Sequence, residues 1–323
     1  MRKKSIENDH CRIVVDADNM TKEEWLELRR CDIGGSDAGA IMGLNKYKGP
    51  LNVYAEKKAL TNGVDETDAI RHGVMMEPVL RKVFSSYYWE NSVMKMTTYK
   101  SPYVYQSTRH PFMIANLDGL VQNKDYRLGG LEIKSVGAYA AKDWADENVP
   151  DSYFAQVQHY IAVTGLDYFI IFALIGQKLI HRIVVRNNDF IELMIEKERN
   201  FWDEYVFKNV MPQPIGIDAE DDILDQLCGN TDAIIDAPEV EQDIKCYLMV
   251  SKSIKTLEEK KKQIQNSIKA RMGEANKLIA GEHSVKWSKF PTKRFNSTLL
   301  KEEKPDVYEA YLQETESGRL TIK

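Results

Sequence analysis

Leu117-Asp118-Gly119 and, downstream, Leu131-Glu132-Ile133-Lys134 are the stretches on which the reading of the fold turns. They run Asp, thirteen intervening residues, Glu, one residue, Lys. A β-strand sends residues i and i+2 to one face, so Glu132 and Lys134 point together while Ile133 turns into a core. Between the two apolar runs, Asn123 to Gly130 (NKDYRLGG) carries turn chemistry. If this hairpin folds about Asp125 and Tyr126, Asp118 lies opposite Glu132. Two carboxylates and an ammonium then converge at one end of a sheet. That cluster suits a hard divalent cation with a lysine beside it, and so phosphodiester hydrolysis. The backbone carbonyl of Ile133 is a further candidate ligand. Taken alone the pattern is loose, and an ion pair between surface strands would satisfy it equally.

Outward from the hairpin, Tyr103 to Ser107, Phe112 to Val121 and Gly130 to Ser135 read as strands, as does Val93 to Tyr99. Upstream, TKEEWLELRR (residues 21–30) reads as a helix capped by Thr21, with Glu24 as its capping-box partner. Gly34-Gly35-Ser36-Asp37 opens a short second helix to Ile41, and Leu51 to Leu60 forms a third. Val79, Leu80, Val83, Phe84 and Tyr87 repeat at helical spacing, so they should face a core. Asp151 to Thr164 is helical, with Phe154, Val157, Ile161 and Val163 on its apolar side and Gln156 and His159 off it. Tyr168 to Ile175 and Leu179 to Val185 form a strand pair around Gly176-Gln177, and Phe190 to Lys208 a long helix. This order predicts an α/β chain with a central mixed sheet flanked by helices.

The 323 residues divide by charge. Residues 209–244 hold ten acidic side chains and no Lys or Arg, while 245–301 hold fourteen Lys and Arg against four acidic residues. Residues 1–215 therefore read as the core, 216–243 as an acidic linker, and 244–323 as a basic helical extension with a short terminal strand and tail. Within the extension, Tyr247, Val250, Ile254, Leu257, Lys261, Ile264, Ile268, Arg271, Ala275 and Leu278 trace a heptad seam that Gly281 stops. The basic stretch suits nucleic-acid backbone or an acidic partner, or simply a solvated coiled-coil face. No run of 18 apolar residues exists, so no membrane contact is expected. MRKKSIENDHCRIVV lacks the apolar core of a secretory signal, which suggests a cytoplasmic location. Cys11, Cys31, Cys228 and Cys246 form no C-x-x-C pair, so no zinc is expected. An iron–sulfur cluster on a related nuclease core takes one early and three late cysteines; only two are late here, so none is expected.

Three more groups carry candidate chemistry. Glu77 lies near the start of an apolar-faced helix, where the helix dipole alone would also favour a carboxylate. Gln156, His159 and Tyr160 share a helix face, and a neutral amide there can steady a water or a phosphate oxygen. A solvated face is the plainer account. Ser36, in a Gly-Gly-Ser turn at a helix start, together with Arg29 seven residues earlier, makes an anion site; a helix cap beside surface arginines is the alternative.

RRCDIGGSDAGAIMG, HGVMMEPVL, ANLDGL, LEIKS and AQVQHY, in that order, resemble the YqaJ-type phage recombination nucleases over about residues 20–210. These are relatives of lambda exonuclease in the restriction-endonuclease-like, or PD-(D/E)-x-K, superfamily. The resemblance implies a restriction-endonuclease-like core and a Mg²⁺-dependent deoxyribonuclease, with Mn²⁺ able to substitute. It implies a 5′→3′ exonuclease on double-stranded DNA ends that leaves 3′ single strands for a phage single-strand annealing protein, assembled as a homo-oligomer. Asp118 and Glu132 would be metal ligands, assisted by the Ile133 carbonyl, and Lys134 would position or activate the water. Glu77 would join the metal site or its water shell, and Gln156 would be the helix-borne glutamine of the catalytic centre. Arg29 and Ser36 would bind the terminal 5′-phosphate, with Arg30 as a neighbouring DNA contact. Leu117 stands where the superfamily has Pro before its Asp. An endonuclease or repair-type nuclease on the same fold, or a non-catalytic DNA-end or partner-binding module, are the competing readings.

Overall fold

At Asp118 the chain leaves one sheet and enters another. The computed structural model describes residues 2–60, 67–90, 95–125, 127–228, 231–313 and 320–322, in two units, Met1–Asn230 and Thr231–Lys323. The first unit opens with β1 (Cys11–Asp16), α1 (Lys22–Cys31), β2 (Ile33–Gly34), α2 (Gly35–Ile41), α3 (Pro50–Lys57) and α4 (Asp68–Glu90). Then come β3 (Thr97–Tyr99), β4 (Tyr103–Ser107), β5 (Met113–Asn116), β6 (Gly119–Gln122) and β7 (Leu128–Val136). The unit closes with α5 (Asp151–Thr164), β8 (Tyr168–Ile175), β9 (Lys178–Val185), α6 (Asn188–Asn200), which runs on as π-helix over Phe201–Phe207, and α7 (Asp218–Leu227).

A four-stranded sheet has the order β1-β4-β5-β2, and a five-stranded sheet the order β3-β6-β7-β8-β9. Both are mixed. β2 runs parallel to β5, and β7 parallel to β8, across the α5 crossover. The expected single strand from Phe112 to Val121 is thus two strands in two sheets, β5 and β6, with Leu117-Asp118 as the joint. Periodicity could not show this, because both halves are buried and apolar. β6 and β7 pair as Gly119↔Leu131, so the next residues outward, Asp118 and Glu132, lie opposite each other as anticipated. The turn is organised by Asn123, whose Oδ1 accepts from the N–H groups of Asp125 and Arg127 at 3.0 and 2.9 Å. Tyr126 lies outside the described residues, as do 93 and 94 of the strand expected over 93–99.

Helices cover both faces of the five-stranded sheet. On one, Leu80 and Phe84 of α4 pack on Leu131, Ile133, Ile170 and Phe172, with the Phe84 and Phe172 rings 5.1 Å apart. Ile133 is buried there, so Glu132 and Lys134 face the other side, toward α5. α4 starts well before its apolar run, and Val79 and Tyr87 are exposed rather than core-facing, because only a narrow stripe meets the sheet. α5 departs further from expectation. Its polar side is buried, since the helix lies between the sheets, α2 and α6. Each inward polar group has a partner, as burial requires. Gln158 donates to Val185 O at 2.7 Å and accepts from Asn187 N–H at 3.0 Å. His159 and Glu198 pair at 2.8 Å, both fully buried. The solvated-face account of Gln156 and His159 is thereby excluded.

α7 also corrects the sequence reading. Its residues fall in the expected acidic linker, yet Ile223, Leu224 and Leu227 pack with α3 and Phe201, and the first unit runs to Asn230. Glu220 is buried and accepts from the N–H groups of Ile215 and Gly216. The other acidic residues of the helix, Asp218, Asp221, Asp222 and Asp225, are exposed on its outer side.

The second unit has α8 (Glu241–Met272), a hairpin of β10 (Lys277–Ala280) and β11 (His283–Lys286), and short helices α9 (Ser297–Glu303) and α10 (Pro305–Ala310). α8 ends at Gly273 (φ 56°), so Ala275 and Leu278 lie outside the helical seam, and Gly281 sits instead in the hairpin turn. Tyr247, Val250, Ile254, Leu257 and Ile264 are all exposed along α8. Among the described residues no helix is long and apolar enough to cross a membrane.

Candidate active site

The end of β6 creates the site. Beyond Gly119↔Leu131 the strands no longer pair, and Ile133 N–H donates to Asp118 Oδ2 at 2.6 Å instead. The Ile133 carbonyl lies on the same strand edge as its N–H. Across the face, Lys134 Nζ stands 2.8 Å from Glu132 Oε1 and 2.8 Å from Gln156 Oε1. Gln156 Nε2 donates to Glu132 Oε1 at 2.8 Å, which closes a ring of three side chains. The same amide donates to the Tyr160 hydroxyl at 3.0 Å, one turn further along α5. The Tyr153 ring lies under Lys134, 4.6 Å from Nζ.

The charges are unbalanced. Burial pushes the Asp118 carboxyl well above its ordinary range, and Glu132 and Glu77 add to the push. Glu77 is raised by burial too, against its ion pair with Arg81 one turn away. Lys134 is depressed by burial, but the Glu132 carboxylate beside it more than offsets this and leaves it raised. Glu132 is 3% exposed, and its Oε2 is buried with no hydrogen-bond partner. An orphaned carboxylate oxygen, a second carboxylate opposite and a carbonyl on the same edge fit a divalent cation, which would relieve the repulsion. Glu77 does not complete a trio. Among the described residues no three His, Cys, Asp or Glu side chains are gathered as a cage.

Arg29 and Ser36 come together, with Arg29 Nη2 donating to Ser36 Oγ at 2.9 Å. Arg30 is not part of this pocket; it pairs with Glu27 on the exposed face of α1. The helix start contributes less than expected, because α2 has only seven residues and Gly34 N–H is spent on Asp37 Oδ2. Beneath the pair lies a charge cluster with no motif in the sequence. Asp37 is fully buried, with Lys57, Lys48 and Arg29 at 2.7, 3.0 and 3.4 Å. Burial alone would raise its carboxyl, but Lys48, Lys57 and Arg29 hold it well below the usual range. Lys57 also donates to Arg29 O and Asp32 O, which locks the end of α1. The available signal was Lys57 at helical spacing from the buried Val53 and Tyr54.

The Arg29–Ser36 pair and the cluster of Glu132, Lys134 and Gln156 share α5. Gly35 packs so closely on Tyr160 that a Cβ there would fall 2.3 Å from its ring. Tyr160 in turn meets the Gln156 amide one turn away on α5, so a single helix links Gly35, the neighbour of Ser36, to the ring of Glu132, Lys134 and Gln156.

The class of protein follows from the comparisons with known chains. The family model described as the YqaJ-like viral recombinase domain matches residues 24–167. The YqaJ protein of Bacillus subtilis (strain 168) is 30% identical over 321 residues, covering 96% of this chain and 97% of that one. The chain belongs to the YqaJ family. Among solved structures, an alkaline exonuclease (LHK-Exo) from Laribacter hongkongensis is 16% identical with a TM-score of 0.46, covering 58% of this chain and 94% of its own. A phage related exonuclease from Haemophilus somnus 129PT is 13% identical with a TM-score of 0.34, covering 57% of this chain and 99% of its own. Membership in this viral recombinase family makes the protein a nuclease.

Proposed function

We propose that the protein is a Mg²⁺-dependent exonuclease that engages 5′-phosphorylated ends of double-stranded DNA and degrades one strand 5′→3′. The observation that carries this reading is the link from Arg29 and Ser36 through Tyr160 and Gln156 to Glu132 and Lys134. A terminal phosphate held by the Arg29 guanidinium and the Ser36 hydroxyl gains charge-assisted hydrogen bonds. It then lies about one nucleotide from the Glu132–Lys134 centre, which spans the next phosphodiester. Asp118, Glu132 and the Ile133 carbonyl hold the cation. When bound, Mg²⁺ supplies Lewis-acid polarisation of the scissile phosphate and lowers the pKa of water; Mn²⁺ can replace it. Lys134 orients the attacking water and balances phosphate charge, and Gln156 keeps Lys134 and Glu132 in register. Glu77 acts from the outer shell, restrained by Arg81. Attack is in line, and the 3′-oxygen leaves.

The 3′ strand left behind suits a single-strand annealing protein, and the exposed seam of α8 suits assembly with further copies or with that partner. The deciding experiment digests end-labelled linear duplex carrying 5′-phosphate or 5′-hydroxyl, with a closed circle as control. Preference for the phosphate by tenfold or more, reduced at least tenfold in Arg29→Ala and Ser36→Ala, is expected. Cleavage of the circle, or end preference indifferent to both substitutions, would point to an endonuclease. A duplex left intact in Mg²⁺ and Mn²⁺ would leave a binding module.

A further inference from the structure

A cavity of about 500 Å³ opens beside Tyr153, the ring under Lys134, lined by the loop after α2, the segment leaving β7 and the start of α5. Such a volume is ordinary for a small-molecule-sized occupant. Its position follows from α5. Gly35 at the start of α2 meets Tyr160, while Gly39 meets Ser152, so the two helices run past each other in opposite directions. Along α5 the order is the Arg29–Ser36 pocket at Tyr160, the catalytic ring at Gln156, and the cavity at Ser152 and Tyr153. Each step is four residues along the helix, a rise of about 6 Å. The cavity is therefore on the far side of the catalytic centre from the end pocket.

Tyr47, Tyr139, Trp144 and Tyr153 stand among its otherwise mostly polar and small lining residues. Tyr47 and Tyr139 both line it and are 65% and 80% exposed, far beyond what packing calls for. Tyr139 rests against Gly137, where a Cβ would come within 2.4 Å of the ring, so that side of the ring is backed by backbone. Lys46 sits over the Tyr47 ring at 5.1 Å and meets Asp143 Oδ2 at 3.3 Å. Tyr153 is shared, lining the cavity while its ring lies under Lys134.

We infer that this cavity seats the base of the nucleotide on the 3′ side of the scissile phosphate, freed from its complement and stacked on Tyr139 and Tyr47. The inference rests on the exonuclease reading above. Bases stack on exposed aromatic rings without regard to sequence, which suits an enzyme that must digest any end. The seat makes each cut depend on a base that is not itself released.

The test uses the full chain with Mg²⁺ and two 5′-phosphorylated duplexes, one normal and one with an abasic site as its second nucleotide. Release of the first nucleotide is followed under single-turnover conditions. Wild-type protein should cut the abasic end about tenfold more slowly or worse. The double variant Tyr47→Ala/Tyr139→Ala should cut the normal end as slowly as wild type cuts the abasic one, with little further loss on the abasic end. Tyr47→Phe/Tyr139→Phe should restore wild-type discrimination. Equal rates on both ends for wild type, or an abasic penalty that persists in the alanine variant, would overturn the inference while leaving the exonuclease reading intact. Absence of cleavage on both ends by wild type would overturn that reading, and this inference with it.

Discussion

Asp32, at the end of α1, shows how a single residue responds to its surroundings. Burial pushes its carboxyl up to about 6, against the opposing pull of Lys57, Gln106 and Arg12. A carboxyl raised in the folded state binds its proton more tightly there than in the unfolded chain. Its contribution is thus favourable at low pH and is lost as pH rises from about 4 through about 6. Asp32→Asn should stabilise the protein by about 1 kcal/mol at pH 7.5, after solvent screening, and make no difference below about pH 4. Thermal melts at the two pH values check this; equal shifts at both would be the wrong outcome. Other site residues were readable because their chemistry is local. Glu132 and Lys134 share a strand face by simple alternation. Asp37 was not, since its three cations come from α1, the loop after α2, and α3.

α5 and its neighbours decide how the elements meet. Gly35→Ala should drive α2 away from Tyr160, costing about 1–3 kcal/mol and at least tenfold in preference for 5′-phosphorylated ends. Gly73→Ala in α4, where a Cβ meets open space, should instead add up to about 1 kcal/mol of stability. Chemical denaturation of both variants measures the contrast. The His159–Glu198 pair clips α5 to α6. His159 is depressed by burial, but Glu198 and the Ile114 carbonyl leave it raised overall. Glu198→Gln should cost about 3 kcal/mol or more at pH 6. A raised histidine stabilises fully below its unfolded value and loses that contribution as pH climbs through the folded one. The gap between wild type and Glu198→Gln should therefore narrow by pH 9, as urea unfolding would show. Sequence periodicity located α5 correctly, from Asp151 to Thr164. It misjudged the helix's polar side, because periodicity reports apolarity and is blind to hydrogen-bonded polar groups that are buried.

For the whole molecule, the two units and their opposite charge balance carry the remaining prediction. A chain ended at residue 230 holds all of the site and should keep end-dependent cleavage. If the basic stretch of the second unit contacts DNA backbone, the truncated chain should also bind duplex with a shallower salt dependence. Fluorescence anisotropy titrations at several salt concentrations decide it; superimposable slopes would exclude that contact.

The sequence by itself determined the local facts: the strand that aligns Glu132 with Lys134, the cap of α1, the helix that bears Gln156, and the charge division of the chain. Each depends on residues within a few positions of one another, where backbone period and turn chemistry suffice. It took the tertiary structure to show that Asp118 is the joint between two sheets, that α7 belongs to the core, and that Tyr160 beside Gly35, Gln156 beside Glu132, and Tyr153 at the cavity follow one another along α5. Those are matters of which buried surfaces meet. Hydrophobic burial is non-directional, so a sequence specifies that a face must be covered without saying by what.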